Sequence, residues 1–229
     1  MSDRLVLGLD NSMDFLNLVL GRENRLIEER HARAERHSSE VLPVHVSQLL
    51  GDHGYTVKDL SALFVTLGPG SFTGVRVGLA FCKGLAEGLA VPLLGIPTPD
   101  VLVFPFAFME GYHLCPLIDA KKGEVFFALY RVSAGAVIPV NGVRAAVPGA
   151  LRDALPAPCL CFGTGVGLCK AALAGIEGVR LIEGAFERLS GEALLRLGLA
   201  RAACGAGVEV RPIYGRKSEA EIKFNLDLS

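Results

Sequence analysis

The sequence predicts an α/β protein with mixed sheets flanked by helices and divided between two lobes. Short apolar or alternating runs of strand length alternate with longer segments of helical periodicity. Each half of the chain begins with strands joined by turns and then alternates helices and strands. The 229 residues suffice for one large domain or two small ones, and a content of 51% apolar and 21% charged residues is typical of globular proteins.

Three runs separated by turn residues predict antiparallel strands at the start of the first half: Arg4–Asp10, Phe15–Gly21 and Arg25–Ala32. Apolar residues at helical spacing then predict a helix over Ser38–Leu50, where Pro43 is tolerated in the first turn or as a kink. The remaining predicted elements are a strand at Ala62–Gly68, a helix at Phe72–Leu89, a strand at Val91–Ile96 and a short helix opening at Thr98–Asp100.

The second half repeats this order with shorter elements. The predicted elements are strands at His113–Ala120 and Glu124–Arg131, a weaker strand, a helix at Pro148–Leu155, a strand at Cys159–Gly163, and helices at Leu168–Gly175 and Ser190–Gly205. A meander followed by alternating elements favours an actin-like, ribonuclease-H-like (ASKHA) fold over a purely parallel doubly wound sheet. The predicted lobes are residues 1–108 and 109–229, and the last helix is a candidate to pack back on the N-terminal lobe.

Composition narrows the classes of function. A formal net charge of -1 argues against this chain alone binding nucleic acid. No apolar run approaches the roughly 18 to 20 residues of a membrane span, and the first residues have too short an apolar core for a signal peptide, so we expect a cytoplasmic protein without a membrane partner. Six cysteines without a C-x-x-C pair are expected to be small buried apolar residues.

A glycine-rich segment, Leu67–Gly78, joins a predicted strand to a predicted helix. It matches neither the P-loop pattern nor the dinucleotide pattern, although anion binding at the helix N-terminus, over Gly70–Thr73, stays open as an alternative. Gly70, Gly74 and Gly78 recur every four residues, and Gly84 and Gly88 continue the series along the same helix. One side of the helix therefore lacks side chains and lets another backbone approach closely. The approaching backbone is either internal or belongs to another subunit.

No catalytic or metal-binding set is predicted. The five histidines contain no pair at i and i+4, and no G-x-S-x-G sequence is present. Asp10 and Asp119 follow the first strand of each half, where actin-fold phosphotransferases hold metal and phosphate. The glycine that such a phosphate loop needs is missing beside both, so we favour a structural capping role for the two aspartates. The alternative is a vestigial nucleotide site formed by Asp10, Ser12 and Asp119.

Several motifs together resemble the TsaB/YeaZ family: LGLDNS at Leu7–Ser12, HSSEVLP at His37–Pro43, GPGSFTGVRVGLAFCKGLA at Gly68–Ala86, GIPT at Gly95–Thr98, IDAKKGEVFFALY at Ile118–Tyr130 and PIYGRKSEAE at Pro212–Glu221. The resemblance implies an actin-like, two-lobed scaffold without catalysis of its own. The chain lacks the H-x-x-x-H metal motif of the related subunit TsaD. The resemblance further implies a role in making N6-threonylcarbamoyladenosine in tRNAs that read ANN codons.

The resemblance also implies the partners. TsaD would form a heterodimer with this chain and catalyse the transfer of threonylcarbamoyl to tRNA. TsaE, an ATPase, would join the larger assembly. The tRNA would be bound only through the complex. The isolated chain would be able to form a homodimer, and ATP or ADP would belong only to the assembled complex, with no cofactor in this chain. The implied interface lies on the first two helices: His37, Val41, His45, Gly70, Ser71, Thr73, Gly74, Arg76, Val77 and Gly78. The alternative is an active actin-fold enzyme, either an ATP-dependent phosphotransferase that uses Asp10 and Asp119 or a metallopeptidase-like hydrolase.

Overall fold

The computed structural model describes residues 4–33, 38–184, 186–205 and 210–216. The chain divides into two compact units, of which the first is Met1–Pro105 with Phe186–Pro212 and the second is Phe106–Ala185 with Ile213–Ser229. The division after Pro105 falls three residues before the boundary expected from the sequence. The helix near the end of the chain is grouped with the first unit.

The first unit contains a five-stranded mixed sheet in the order β3-β2-β1-β4-β5. Its strands are β1 (Leu5–Asp10), β2 (Phe15–Arg22), β3 (Arg25–Arg33), β4 (Leu60–Thr66) and β5 (Leu93–Ile96). The first three strands form the predicted antiparallel meander, while β4 and β5 extend it in parallel from β1. Every residue of β1 is buried because this strand lies at the centre of the sheet.

The described residues of this unit form the α-helices α1 (Ser38–Asp52), α2 (Phe72–Leu89), α3 (Thr98–Val103) and α5 (Gly191–Ala203). Gly8 of β1 lies against Leu194 of α5, whereas its neighbour Leu9 lies against Gly78 of α2. Because successive strand residues point to opposite faces of a sheet, α2 and α5 cover opposite faces. Helix α1 packs beside α2.

Pro43 is the sixth residue of α1 and therefore lies beyond the first turn, where a helix tolerates proline without losing a hydrogen bond. A proline there lacks the N–H that an α-helix uses in its interior, so the helix is locally weakened. The predicted α2 matches the observed bounds, Phe72–Leu89.

The second unit holds a seven-stranded sheet in which β10-β7-β6-β11-β12 form one path and β8 and β9 form a hairpin beside β6. The strands are β6 (His113–Lys121), β7 (Glu124–Phe127), β8 (Tyr130–Ser133), β9 (Ala136–Pro139), β10 (Arg144–Ala146), β11 (Cys159–Phe162) and β12 (Val179–Ile182). Helix α4 (Val166–Leu173) covers a cluster of buried apolar side chains.

Two expectations for this unit were wrong, and one strand was missed. The predicted strand Glu124–Arg131 is divided into β7 and β8, which pair with different parts of β6. The predicted helix over Pro148–Leu155 is a short 3-10 turn at Pro148–Leu151 followed by turns, since two prolines and a glycine bracket a segment too short to sustain an α-helix. Strand β12 was not expected, because its side chains are only partly buried and give a weak apolar pattern.

Within the ranges that the structure describes, no helix combines the length and apolar character needed to cross a membrane.

Candidate functional site: the exposed face of two adjacent helices

One flank of α2, which carries Gly74 and Gly78, is packed inside its own unit. A Cβ atom at Gly74 would overlap the carbonyl oxygen of Asn11, and one at Gly78 would lie 2.9 Å from Leu9 Cδ2. A Cβ atom at Gly70, just before the helix, would overlap the carbonyl oxygen of Ser12. The expectation that these three glycines open a flank to a second polypeptide is therefore wrong: they face β1 and the turn after it in the same chain.

The N-terminus of α2 is capped by groups of this chain. Ser71 is the N-cap residue, and its hydroxyl accepts a hydrogen bond from the Gly74 N–H at 3.2 Å. The Ser71 N–H donates to the Ser12 carbonyl at 2.7 Å. These two amide groups are thus used internally, which weakens the anion-binding alternative for this helix end.

The solvent-facing side of α2 divides into a charged row and an uncharged row. Arg76, Lys83 and Glu87 share the first row, and the Arg76 guanidinium lies 5.0 Å from the centre of the Phe72 ring. At about 100° per residue, the adjacent row consists of small or uncharged residues. Its members are Thr73, Val77, Ala80, Gly84 and Gly88, of which Val77 is half-buried and the others are exposed.

The exposed glycines of this row have no internal explanation. A Cβ atom at Gly84 or Gly88 would meet no atom within 4 Å. The same is true of Gly51, an exposed residue in the last turn of α1. Glycine in an exposed helix costs about 1 kcal/mol relative to alanine. Within the described part of the chain, no contact therefore requires glycine at these three positions.

Helix α1 presents a similarly uncharged surface between Glu40 and Asp52. Val44 is 53% exposed, and Ser47 and Gln48 are also exposed. Of the predicted interface residues on this helix, Val41 and His45 are half-buried, and His37 lies outside the described residues. The uncharged rows of the two helices are together called the helix face hereafter. It consists of Val44, Ser47, Gln48 and Gly51 on α1 and of Thr73, Val77, Ala80, Gly84 and Gly88 on α2.

Asp10 is not an open ligand position. Its side chain is 1% exposed, and Oδ1 accepts hydrogen bonds from the Ser12 N–H at 3.0 Å, the Ser12 hydroxyl at 2.6 Å and the Thr66 hydroxyl at 2.6 Å. Thr98 in turn donates to the Ser12 hydroxyl oxygen at 2.9 Å. Burial raises the pKa of Asp10, and the hydrogen bonds from Ser12 and Thr66 oppose that rise in part.

These bonds leave the predicted vestigial site poorly suited to a nucleotide phosphate. The Ser12 N–H, which a phosphate would need as a donor, is already bonded to Asp10. Asp119 belongs to the second unit, where its two carboxylate oxygens accept from the Lys121 N–H at 2.7 Å and the Lys121 ammonium at 2.9 Å. Each of the two aspartates therefore fixes a turn of its own unit.

In the parts of the chain that the structure describes, no group of three histidine, cysteine, aspartate or glutamate side chains could hold a metal ion. Five of the six cysteines are buried as expected, and Cys204 is exposed. Burial raises the pKa of the Cys82 thiol in α2 to about 12, so that this thiol stays protonated and unreactive.

Sequence reasoning missed Asn11, Thr66 and Thr98. All three are almost fully buried polar residues, and the Asn11 amide donates to the Gly74 carbonyl at 3.0 Å. The available signal was a polar residue at the end of an apolar strand, as Thr66 is, because a buried hydroxyl requires a partner.

Comparison with known proteins identifies the family. A relative from Bacillus subtilis, described as the tRNA threonylcarbamoyladenosine biosynthesis protein TsaB, is 30% identical over 179 residues, which are 76% of this chain and 77% of the relative. The chain belongs to the TsaB family. A family model described as TsaD, tRNA N6-adenosine threonylcarbamoyltransferase, also matches residues 31–150. Membership places the chain in the biosynthesis of threonylcarbamoyladenosine in tRNA.

Solved structures agree with this fold. A Pseudomonas aeruginosa crystal structure, described as an uncharacterized protein with similarity to peptidase YeaZ, has a TM-score of 0.77 and 27% identity, covering 94% of this chain and all of that one. A chain of the PilM-PilN type IV pilus biogenesis complex has a TM-score of 0.52 at 13% identity, covering 86% of this chain and 98% of that one, and shows the fold alone. The predicted α/β, actin-like class is thereby confirmed.

Proposed function

We propose that this TsaB-family chain is a non-catalytic subunit that binds and activates TsaD, which transfers threonylcarbamoyl to tRNAs that read ANN codons. The observation that carries the proposal is the helix face. It is exposed and uncharged, and it contains the glycines Gly51, Gly84 and Gly88, whose missing side chains no internal contact explains.

A partner helix accounts for these features. Small residues let a second backbone approach closely, and the area buried in that contact compensates for the helix stability that glycine loses relative to alanine. The lack of charge across the row from Thr73 to Gly88 means that a partner could cover it without burying unpaired ions, which are costly. Arg76, Lys83 and Glu87 would then form the polar rim that surrounds the centre of many interfaces.

The remaining partners follow from this role. TsaE would join the assembly of this chain with TsaD, tRNA would be held only by the complete complex, and any ATP or ADP would belong to that complex, with no cofactor supplied by this chain. In the absence of TsaD, two copies of the chain would associate through the helix face. We place this activity in the cytoplasm. The enzyme alternative gains no support from Asp10, whose Oδ1 is already engaged by three donors.

The test is binding of TsaD to Gly84→Arg, with Gly167→Arg in α4 as the matched control. Both glycines are exposed helical residues with nothing within 4 Å of an added Cβ, so both variants should fold. We expect Gly84→Arg to weaken TsaD binding by roughly 100-fold, because a charged side chain would be buried at the centre of the contact. Gly167→Arg should bind as the wild type does.

Equal binding by the two variants would exclude the helix face as the contact. Tight ATP binding by the chain alone, abolished by Asp10→Asn, would favour the phosphotransferase.

A further inference from the structure

The turn that follows β1 holds the first turn of α2 in place. The Ser12 carbonyl accepts from the Ser71 N–H at 2.7 Å, and the Asn11 side-chain amide donates to the Gly74 carbonyl at 3.0 Å. Glycine at 70 and 74 lets the Asn11 and Ser12 carbonyl groups approach more closely than any other residue would allow. One backbone hydrogen bond and one bond from a buried side chain therefore join the turn after β1 to a helix more than 55 residues later in the chain.

The same turn is itself fixed by a chain of buried hydrogen bonds. Asp10 Oδ1 accepts from Ser12 and from Thr66 at the end of β4, and Thr98 at the start of α3 donates to Ser12. All these side chains are at most 1% exposed. These hydrogen bonds thus fix the position of the α2 N-terminus relative to the ends of β1 and β4 and the start of α3.

We propose that Asp10, Asn11 and Ser12 are positioning residues that set the first turn of α2, and with it Thr73 and Val77, for partner binding. This inference rests on the proposed function, since those two residues form one end of the helix face. The Asn11 amide and the Ser12 carbonyl contact α2 directly, whereas Asp10 acts through Ser12. The carboxylate at the end of β1 serves here as an anchor for a helix and not as a ligand.

Asn11→Ala isolates this role. The Gly74 carbonyl lies within the helix, where it keeps its bond to the N–H four residues on, so loss of the Asn11 amide removes one of the two direct contacts without breaking α2. Ser61→Ala is the matched control, because the Ser61 hydroxyl makes one comparable bond, 2.9 Å to the Leu5 carbonyl, near the start of β4.

The experiment combines amide hydrogen exchange of the chain alone with TsaD binding and thermal unfolding. In Asn11→Ala we expect faster exchange over residues 72–77 with residues 82–89 unchanged, and TsaD binding weakened about fivefold, the scale of one lost hydrogen bond. Ser61→Ala should lose a comparable amount of thermal stability but should change neither the exchange over residues 72–77 nor TsaD binding.

Unchanged exchange over residues 72–77 in Asn11→Ala, or exchange and binding indistinguishable from Ser61→Ala, would overturn the positioning role. If the exchange changes as expected and Gly84→Arg still binds TsaD normally, α2 is positioned as inferred but the proposed partner face is wrong. If Gly84→Arg loses binding while Asn11→Ala matches the control, the proposed function stands and the positioning role falls.

Discussion

Three glycines of α2 should respond differently to the same substitution with alanine. At Gly74 an added Cβ would overlap the Asn11 carbonyl oxygen, which belongs to backbone held by buried bonds and cannot easily move. Overpacking of this kind costs about 1 to 3 kcal/mol, and disturbance of the Asn11–Gly74 hydrogen bond adds about 1 kcal/mol. The gain in helix propensity offsets about 1 kcal/mol. The net expectation for Gly74→Ala is a loss of about 1 to 3 kcal/mol.

The other two positions provide a graded control. At Gly78 the neighbour is the end of a leucine side chain, which can rotate away, so Gly78→Ala should lie within about 1 kcal/mol of the wild type. At Gly84 nothing is near, and Gly84→Ala should gain about 1 kcal/mol. Urea unfolding followed by circular dichroism measures all three. Equal stability of the Gly74 and Gly84 variants would refute the claim that one flank is sealed and the other open.

Three further predictions concern stability and reactivity. Because burial raises the pKa of Asp10, the folded chain holds that proton more tightly than the unfolded chain, so its stabilisation is present at low pH and is lost as the pH rises through the folded pKa. The unfolding free energy of the wild type minus that of Asp10→Asn should therefore fall as the pH rises from the unfolded-state pKa of Asp10 through its higher folded-state pKa, and a difference that rises or stays constant would contradict the pKa shift. A thiol reagent should modify Cys204 quickly and the five buried cysteines only after unfolding, whereas several fast thiols would show that the core is open. Gly198→Ala should lower the midpoint of thermal unfolding, because its Cβ would overlap the Phe64 ring, while Gly167→Ala should not, and equal midpoints would argue against the docking of α5 on the sheet.

Local patterns predicted the first unit well. Alternation and turn residues located the meander, and the bounds of α2 were predicted from apolar spacing. The second unit was predicted less well because its strands are short and several are only partly buried, as in β9 and β12. Strands of this kind bury too few side chains to produce a strong periodic signal.

The glycines of α2 show why the site was harder to predict than the fold. Along the sequence, Gly74, Gly78, Gly84 and Gly88 look like one small-residue series. In the structure the first two face the end of β1 and the turn after it, and the last two face solvent. Helical periodicity gives the angle between such residues, but it does not say which side the sheet covers. That information lies in tertiary contacts.

The threonylcarbamoyladenosine content of tRNA tests the central claim most directly. Cells that lack their own TsaB-family gene would receive the wild-type chain, Gly84→Arg or Gly167→Arg at equal protein levels, and the modified nucleoside would be measured by mass spectrometry of digested tRNA. We expect the wild type and Gly167→Arg to restore the modification and Gly84→Arg to leave it absent. Full restoration by Gly84→Arg would contradict the account that TsaD binds the helix face.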